Sequence, residues 1–254
     1  MPLQIEYAAR THRGNVRKRN EDSLYIPDGK GLDGLIVVAD GMGGYNAGDV
    51  ASALGVQVAL SIISAARALS PAPTAEYSVR WAFNEANRAI LEYAGTNEFY
   101  QGMGTTMTIA CYDEGCWVIG NVGDSRAYLV RAGAVAQITT DHSLVQLMVE
   151  RGRMTREDAR AHPYRNVITR SIGAESFSGA DIFKVDACTG DVLVLCSDGL
   201  SNYLLDSDML SVLQNDLPLD GAAEAMLKLS LSRGGSDNIT VALARMTGGD
   251  GDGR

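Results

Sequence analysis

Leu35-Ile36-Val37-Val38-Ala39-Asp40-Gly41-Met42-Gly43-Gly44 decides how this chain is read. Residues 35–39 form an apolar run rich in β-branched side chains, the composition of a buried strand. The run ends on a carboxylate followed at once by glycine. A rigid strand that delivers one Asp to its tip can fix a hard cation. The Asp supplies charge, and the glycine lets the backbone turn so that its carbonyl also faces the ion. Asp-Gly is a common turn as well, so one copy decides little. A second copy changes the odds. Val192 to Cys196 is another apolar run, and it ends Ser197-Asp198-Gly199. Two such strands suggest two carboxylates brought to one place. A third, Asp237 in Ser236-Asp237-Asn238, stands at the start of a last strand, again beside glycines. With Glu21 or Asp22 these acids can hold two ions that share one carboxylate. All-oxygen ligands suit Mg²⁺ or Mn²⁺.

Composition agrees with such a site. The chain has 254 residues, 46% of them hydrophobic, enough for one large domain with a substantial core. The expected domain spans 1–246. The Gly- and Asp-rich tail, 247–254, is expected to be disordered. No apolar run has the roughly 18–20 residues of a membrane span. The first residues lack the pattern of a signal peptide, so a cytoplasmic protein is expected. A net charge of −9 argues against nucleic-acid binding and is compatible with carboxylates that a cation neutralises. Cys111, Cys116, Cys188 and Cys196 are not spaced as a zinc site or a disulfide framework. They are expected to be reduced, with Cys111 and Cys116 placed to face each other across a hairpin.

Periodicity supplies the remaining elements. Strands are expected at 5–9, 24–26 and 35–39. A helix begins near Asn46, with Val50, Leu54, Val58 and Ile62 every four residues and Ala47, Ala51, Gly55 and Ala59 beside them. Ser70-Pro71-Ala72-Pro73 ends it. Thr74 caps a second helix that turns Val79, Phe83, Ala86 and Ile90 inward and stops at Gly95. Strand-like segments follow at 105–112, 116–122, 126–131 and 135–138. Their tight connections predict an antiparallel meander. Ser143 and Gln146 open one short helix, and Thr155 and Asp158 a second that stops at His162-Pro163. Residues 164–190 read as irregular. Helices at 206–215 and 220–233 precede the final strand, 239–245. The expected fold is α+β: a four-layer α-β-β-α sandwich of two mainly antiparallel sheets flanked by helix pairs. The unbroken apolar character of 35–39 and 192–196 fits strands covered on both sides. The rival is a dinucleotide fold, with Gly41-Met42-Gly43 between strand and helix. There, however, Asn46 takes the third glycine position and Asp40 points a negative charge at the pyrophosphate.

Eight ordered motifs then carry a resemblance: Gly14-x-x-Arg17-x-x-Asn20-Glu21-Asp22-Ser23, Val38 to Gly44, Gly102-Met103-Gly104-Thr105-Thr106, Asn121 to Arg126, Asp141-His142-Ser143, His162-Pro163, Cys196 to Leu200, and Ser236 to Thr240. Together they resemble the metal-dependent protein phosphatases of type 2C (the PPM family), and most of all its short bacterial members. The resemblance spans nearly the whole chain and implies hydrolysis of phosphoserine and phosphothreonine in proteins. By position it implies that Asp40 bridges two metal ions and that the Gly41 carbonyl binds one of them. Asp198 and Asp237 complete the first site. Glu21 or Asp22 serves the second, partly through water. Arg17 grips the phosphate, and Asp124 serves a weaker third ion. The stretch from His142 to Ile172, with Ser143 and His162, matches a mobile flap.

The implied chemistry suits these residues. Paired ions can activate a water for in-line attack on phosphorus. A guanidinium can hold two phosphate oxygens at once. One departure matters: many eukaryotic relatives have a histidine after Asp-Gly that is thought to protonate the leaving oxygen, and here it is Met42. Water on the metal is the expected acid, and His142 and His162 are expected to shape the flap. The implied partners are phosphorylated Ser/Thr proteins and a Ser/Thr kinase, the chain acting as a monomer without nucleic acid or membrane. The alternatives are a phosphoprotein-binding pseudophosphatase, which should have lost a ligand, and a phosphatase dedicated to an anti-sigma antagonist.

Overall fold

Four layers are held apart by three apolar cores. The computed structural model describes residues 4–29, 31–43, 47–215 and 217–248. Gly44 and Asn46, which the sequence placed in the Asp-Gly motif and at a helix start, lie outside them, as does the tail from residue 249. The chain opens with β1 (Gln4–His12), β2 (Asp22–Tyr25) and β3 (Leu35–Met42), followed by α1 (Gly48–Arg67) and α2 (Ala75–Ala94). Then come β4 (Gly104–Thr105), β5 (Met107–Asp113), β6 (Cys116–Val122), β7 (Arg126–Arg131) and β8 (Ala134–Gln137). The stretch expected as the flap holds α3 (Leu144–Glu150) and α4 (Arg156–Ala161). The last part contains β9 (Asp181–Asp186), β10 (Val192–Cys196), α5 (Asp198–Ser201), α6 (Asp206–Gln214), α7 (Leu219–Ser232) and β11 (Ile239–Thr247).

One sheet has the order β2-β3-β5-β6-β9, with β4 on β3, and the other the order β1-β11-β10-β7-β8. All pairings are antiparallel. Leu35, Val37 and Ala39 of β3 face the core beneath α1 and α2. Ile36 and Val38 face the core between the sheets, together with Leu193 and Leu195 of β10. Val192, Val194 and Cys196 face the third core, with Leu219, Ala223 and Met226 of α7. Both strands are therefore apolar on both faces, as their unbroken runs required. Val79, Phe83, Ala86 and Ile90 of α2 are fully buried as expected, and Thr74 Oγ1 caps that helix by accepting from Tyr77 N.

Several expectations are corrected. The four-strand meander breaks after β6. β6 pairs with β5 and β9 in one sheet, whereas β7 pairs with β10 and β8 in the other. The link at 123–125 crosses between sheets, because each sheet must keep its own inner face dry. Within 164–190, β9 is an additional strand. It is a half-exposed edge strand, so it lacks the strong apolar signal of a central one. In α1 the small residues Ala51, Gly55 and Ala59 form the buried centre, while Val50, Leu54, Val58 and Ile62 pack at its margins. α1 is also long and apolar enough to cross a bilayer by length and composition. It lies instead on β3 and α2, with Ala51, Ala59, Ile63 and Ala66 fully buried. Cys111 pairs with Val118 and Cys116 with Asp113, so the two thiols are not opposed. The final strand runs through Thr247, two residues past its expected end at 245.

Candidate active site

The strand directions bring the acids together. β3 and β6 both run antiparallel to β5, so they point the same way. Their ends carry Asp40 and, just beyond β6, Asp124. Asp22 opens β2 and is paired directly with Asp40 across the two strands. On the other sheet, β10 runs out into Asp198, the first residue of α5, and the antiparallel β11 starts just after Asp237.

Cross-sheet hydrogen bonds fix this end of the sandwich. Ser197 Oγ and Thr240 Oγ1, from the second sheet, donate to Asp22 Oδ2 at 2.8 and 2.6 Å. Asp22 Oδ1 is buried and has no hydrogen-bond partner among the described residues. The Asp40 carbonyl accepts from Thr105 Oγ1 and Thr106 N, both at 2.9 Å, and Asp40 N donates to Thr106 Oγ1 at 3.1 Å. Asn202 Nδ2 donates to Asp198 Oδ2 at 3.2 Å. Arg17 Nη2 donates to Asp237 Oδ2 at 2.7 Å.

Gly41 cannot be replaced for reasons of space. A Cβ there would stand 2.0 Å from Gly48 O and 2.6 Å from Glu21 O. The same close approach brings Glu21 to the Gly41 carbonyl: a Cβ on Gly48 would meet Gly41 O at 2.9 Å and Glu21 Cδ at 3.0 Å. Glu21 therefore lies with Gly41 at the start of α1, and Asp22 lies inside with Asp40, which separates two acids adjacent in sequence.

Crowding of buried negative charge sets the electrostatics. Burial first, then Asp198 and Asp237, pushes Asp22 up to about 7. Asp198 is pushed up to about 6 by burial and by Asp237. Burial and the neighbouring acids hold Asp40 and Asp124 well above the usual carboxylate range. Glu21 is raised by burial and by Asp49.

The histidines take no part in this cluster. Gly123 N donates to His142 Nδ1 at 3.0 Å, and Nε2 lies 3.0 Å from Asp181 Oδ2 and 2.8 Å from Arg170 Nη1. Burial lowers the pKa of this ring and keeps it neutral. His142 N and O also bond to Gly123 O and Thr169 N, so the residue ties the 123–125 link to the flap. Ser143 Oγ caps α3 by accepting from Gln146 N. His162 ends α4 and packs on the Tyr164 ring. Met42 pairs with Gly104 at the end of β3.

Residues that the sequence gave no role prove structural to the site. Ser197, Thr240, Thr105, Thr106 and Asn202 lie within the quoted motifs or just beyond one, but a hydroxyl or amide signals no partner until the fold supplies it. Asn238 is the clearest case. Its Nδ2 donates to Arg13 O at 3.0 Å and Arg19 O at 2.8 Å, and its Oδ1 accepts from Glu21 N at 2.8 Å.

Residues 10–243 match the sequence profile of the family described as Protein phosphatase 2C. The chain belongs to this family. It is 39% identical over 234 residues to the serine/threonine phosphatase stp of Listeria monocytogenes, spanning 92% of this chain and 93% of the relative. Stp1 from Staphylococcus aureus superimposes with a TM-score of 0.88 at 34% identity, covering 96% of each chain. The catalytic domain of the serine threonine protein phosphatase PstP, solved with two manganese ions, superimposes with a TM-score of 0.84 at 34% identity, covering 97% of this chain and all of that one.

The residues present fit divalent ions. The donors are carboxylates and a backbone carbonyl, which is hard-cation chemistry. Positive charge at this point would offset the burial and the mutual repulsion that raise four aspartates, and would face the unpartnered side of Asp22. Among the described residues no three His, Cys, Asp or Glu side chains form a closed ligand cluster by themselves. Mg²⁺ and similar ions retain several waters and need few direct protein ligands.

Proposed function

We infer that this chain is a metal-dependent serine/threonine protein phosphatase. The observation that carries this reading is the convergence of Asp22, Asp40, Asp124, Asp198 and Asp237 at one end of the sandwich, with the Arg17 guanidinium beside them. Bound Mn²⁺ or Mg²⁺ ions supply an activated water and neutralise the phosphoryl oxygens. Asp40, Asp198 and Asp237 would hold one ion, and the Gly41 carbonyl and Glu21, with Asp40, would serve the other. Asp22 backs them from inside, its orientation fixed by Ser197 and Thr240.

Arg17 reaches a phosphate by exchanging its bond to Asp237 for phosphate oxygens, a pairing that guanidinium geometry favours. His142 has both ring nitrogens engaged and Met42 has no proton to give, so neither is the general acid. Water in the site takes that role. A pseudophosphatase is disfavoured, because Asp40, Asp198 and Asp237 are all in place.

The finer parts of the reading have their own support. Free thiols at Cys111, Cys116, Cys188 and Cys196 suit a reducing compartment, and we place the protein in the cytoplasm. We assign it, as a monomer, to reverse the action of a Ser/Thr kinase in signalling. Similarity to bacterial serine/threonine phosphatases supports the phosphoprotein substrate in that assignment. The test is hydrolysis of a phosphothreonine peptide with Mn²⁺, with Mg²⁺ and with chelator. Turnover is expected with either metal and none with chelator; undiminished turnover in chelator would overturn the reading.

A further inference from the structure

A cavity of about 870 Å³ lies beside the carboxylates, not on them. It is enclosed by the flap helices α3 and α4, by β8 and by the α5–α6 segment. Its volume is that of a ligand cleft, which runs from roughly 300 to 1,000 Å³. One wall includes Asn202, whose amide donates to Asp198. The cavity and the candidate active site therefore share Asn202 as a common wall.

Its charge is unlike that of the rest of the chain. Arg126, Arg156, Arg160 and Arg165 line it, against Asp141, Glu157 and Asp206, in a protein of net charge −9. The four arginines are not equivalent. Arg126 is fully engaged: Nε and Nη2 bond to Asp141 at 2.7–3.0 Å, and Nη1 bonds to Tyr128. Arg160 of α4 stands 4.0 Å from Asp206 of α6, a loose clasp across the mouth from flap to body. Arg156 and Arg165 are exposed and hold no side chain among the described residues. Elsewhere Arg10, Arg88, Arg131, Arg170 and Arg233 each hold a carboxylate. Glu157 is the opposing acid on this rim and has no side-chain partner among the described residues.

Free guanidiniums at the mouth of a cleft select carboxylates and phosphoryl groups. We propose that this cavity is a second anion subsite, which takes an acidic or phosphorylated side chain flanking the phosphoresidue of the substrate. The proposal rests on the phosphatase reading above. Arg156 and Arg165 bind the anion, and Arg160 exchanges Asp206 for it. Glu157, an acid on the same rim, opposes the anion and weakens the subsite.

The test compares phosphothreonine peptides that differ at one flanking position, which holds Gln, Glu or phosphoserine. The position is walked over roughly eight residues on either side, since an extended chain gains only about 3.3–3.6 Å per residue. A small aryl phosphate, too short to reach the cavity, serves as control. With the Mn²⁺-loaded full chain, kcat/KM for the best Glu peptide should exceed that of its Gln twin about 3- to 10-fold, and the phosphoserine peptide should gain more. Arg156→Gln with Arg165→Gln should erase the difference and leave the aryl phosphate and Gln peptide unchanged. Glu157→Gln should widen it. Equal rates for Gln and Glu peptides at every position, or a preference that survives in the double variant, would overturn the subsite. Fluorescence anisotropy of the same peptides in chelator separates the two readings. Preference for acidic peptides in binding, without hydrolysis of any substrate, would keep the subsite and overturn the phosphatase.

Discussion

Asn238 Oδ1 accepts the backbone N–H of Glu21 at 2.8 Å, while its amide nitrogen holds the carbonyls of Arg13 and Arg19. One buried side chain thus shapes the loop that presents both Arg17 and Glu21. The three bonds contribute about 2–4 kcal/mol together, at roughly 0.5–1.5 kcal/mol each. Asn238→Ala should lower stability by that order and raise KM for phosphopeptide about tenfold. Asn238→Asp keeps the acceptor and loses both donations, so it should fail almost as badly. Thermal unfolding with steady-state kinetics checks both. A variant with unchanged KM would remove Asn238 as the positioning residue of this loop.

The role of Asn238 marks the limit of what the sequence could say. Asp40, Asp198 and Asp237 were legible because each ends or begins a strand with its own apolar or glycine signature. The sandwich was legible because β3 and β10 are apolar on both faces. The crossing at Gly123-Asp124-Ser125 was not, since a three-residue link reads alike whether it closes a hairpin or passes between sheets. β9 was missed because an edge strand needs no continuous apolar run. The division of labour between Glu21 and Asp22 was invisible because they are neighbours in sequence. Only the pairing of Asp22 with Asp40 sends one inward and leaves the other beside Gly41.

Asp40→Asn and Asp198→Asn should each abolish phosphopeptide turnover, because each removes a charge that holds the ions. The fold should survive both changes. Each lies among other raised carboxylates, so removing one negative charge relieves repulsion in the metal-free protein. Circular dichroism and a Mn²⁺-dependent assay would check this, and near-normal rates in either variant would sink the two-ion assignment.

Metal-free protein should become less stable as pH rises from about 4 to about 7. Asp22 and Asp198 are raised from 3.8 to about 7 and about 6, and Asp40 and Asp124 are raised as well. The native state therefore binds more protons than the unfolded chain between these limits. The stability this confers is present at low pH and is lost as pH climbs through 6 to 7. His142 acts in the opposite sense, being held neutral with a lowered pKa, but it is one group against four. In chelator, Tm should fall across this range by roughly 2–4 °C per kcal/mol lost. The Tm gain from Mn²⁺ should be larger at pH 8. A chelated Tm that is flat or rises with pH would contradict the crowding of charge.

Arg17→Ala should raise KM for phosphopeptide more than it lowers kcat, the pattern of lost binding common to ground and transition states. Binding of Mn²⁺ should persist, since Arg17 meets Asp237 as a counter-charge and donates no metal ligand. Calorimetry alongside kinetics distinguishes this from a structural role, in which metal affinity would fall and KM would stay the same.

Asp124 supports the most exposed expectation. It is buried at the crossing between the sheets, at the same end as Asp40, and its neighbour Gly123 is held by His142. Burial and the charges of Asp198 and Asp141 raise its pKa, and Arg126, tied to Asp141, offsets them only in part. A fifth acid in this cluster is unfavourable unless it serves a further cation. A third, weaker ion shared with Asp198 provides that reason, and the bonds of His142 couple its site to the flap. Asp124→Ala should then retain two tight Mn²⁺ sites and lose about tenfold or more of its turnover on phosphopeptide. Its metal-free Tm should rise, because a buried, raised carboxylate has been removed. Calorimetric titration with Mn²⁺, a phosphopeptide assay and a thermal scan decide together. Full activity in the variant, or loss of the tight sites, would remove Asp124 from the active site.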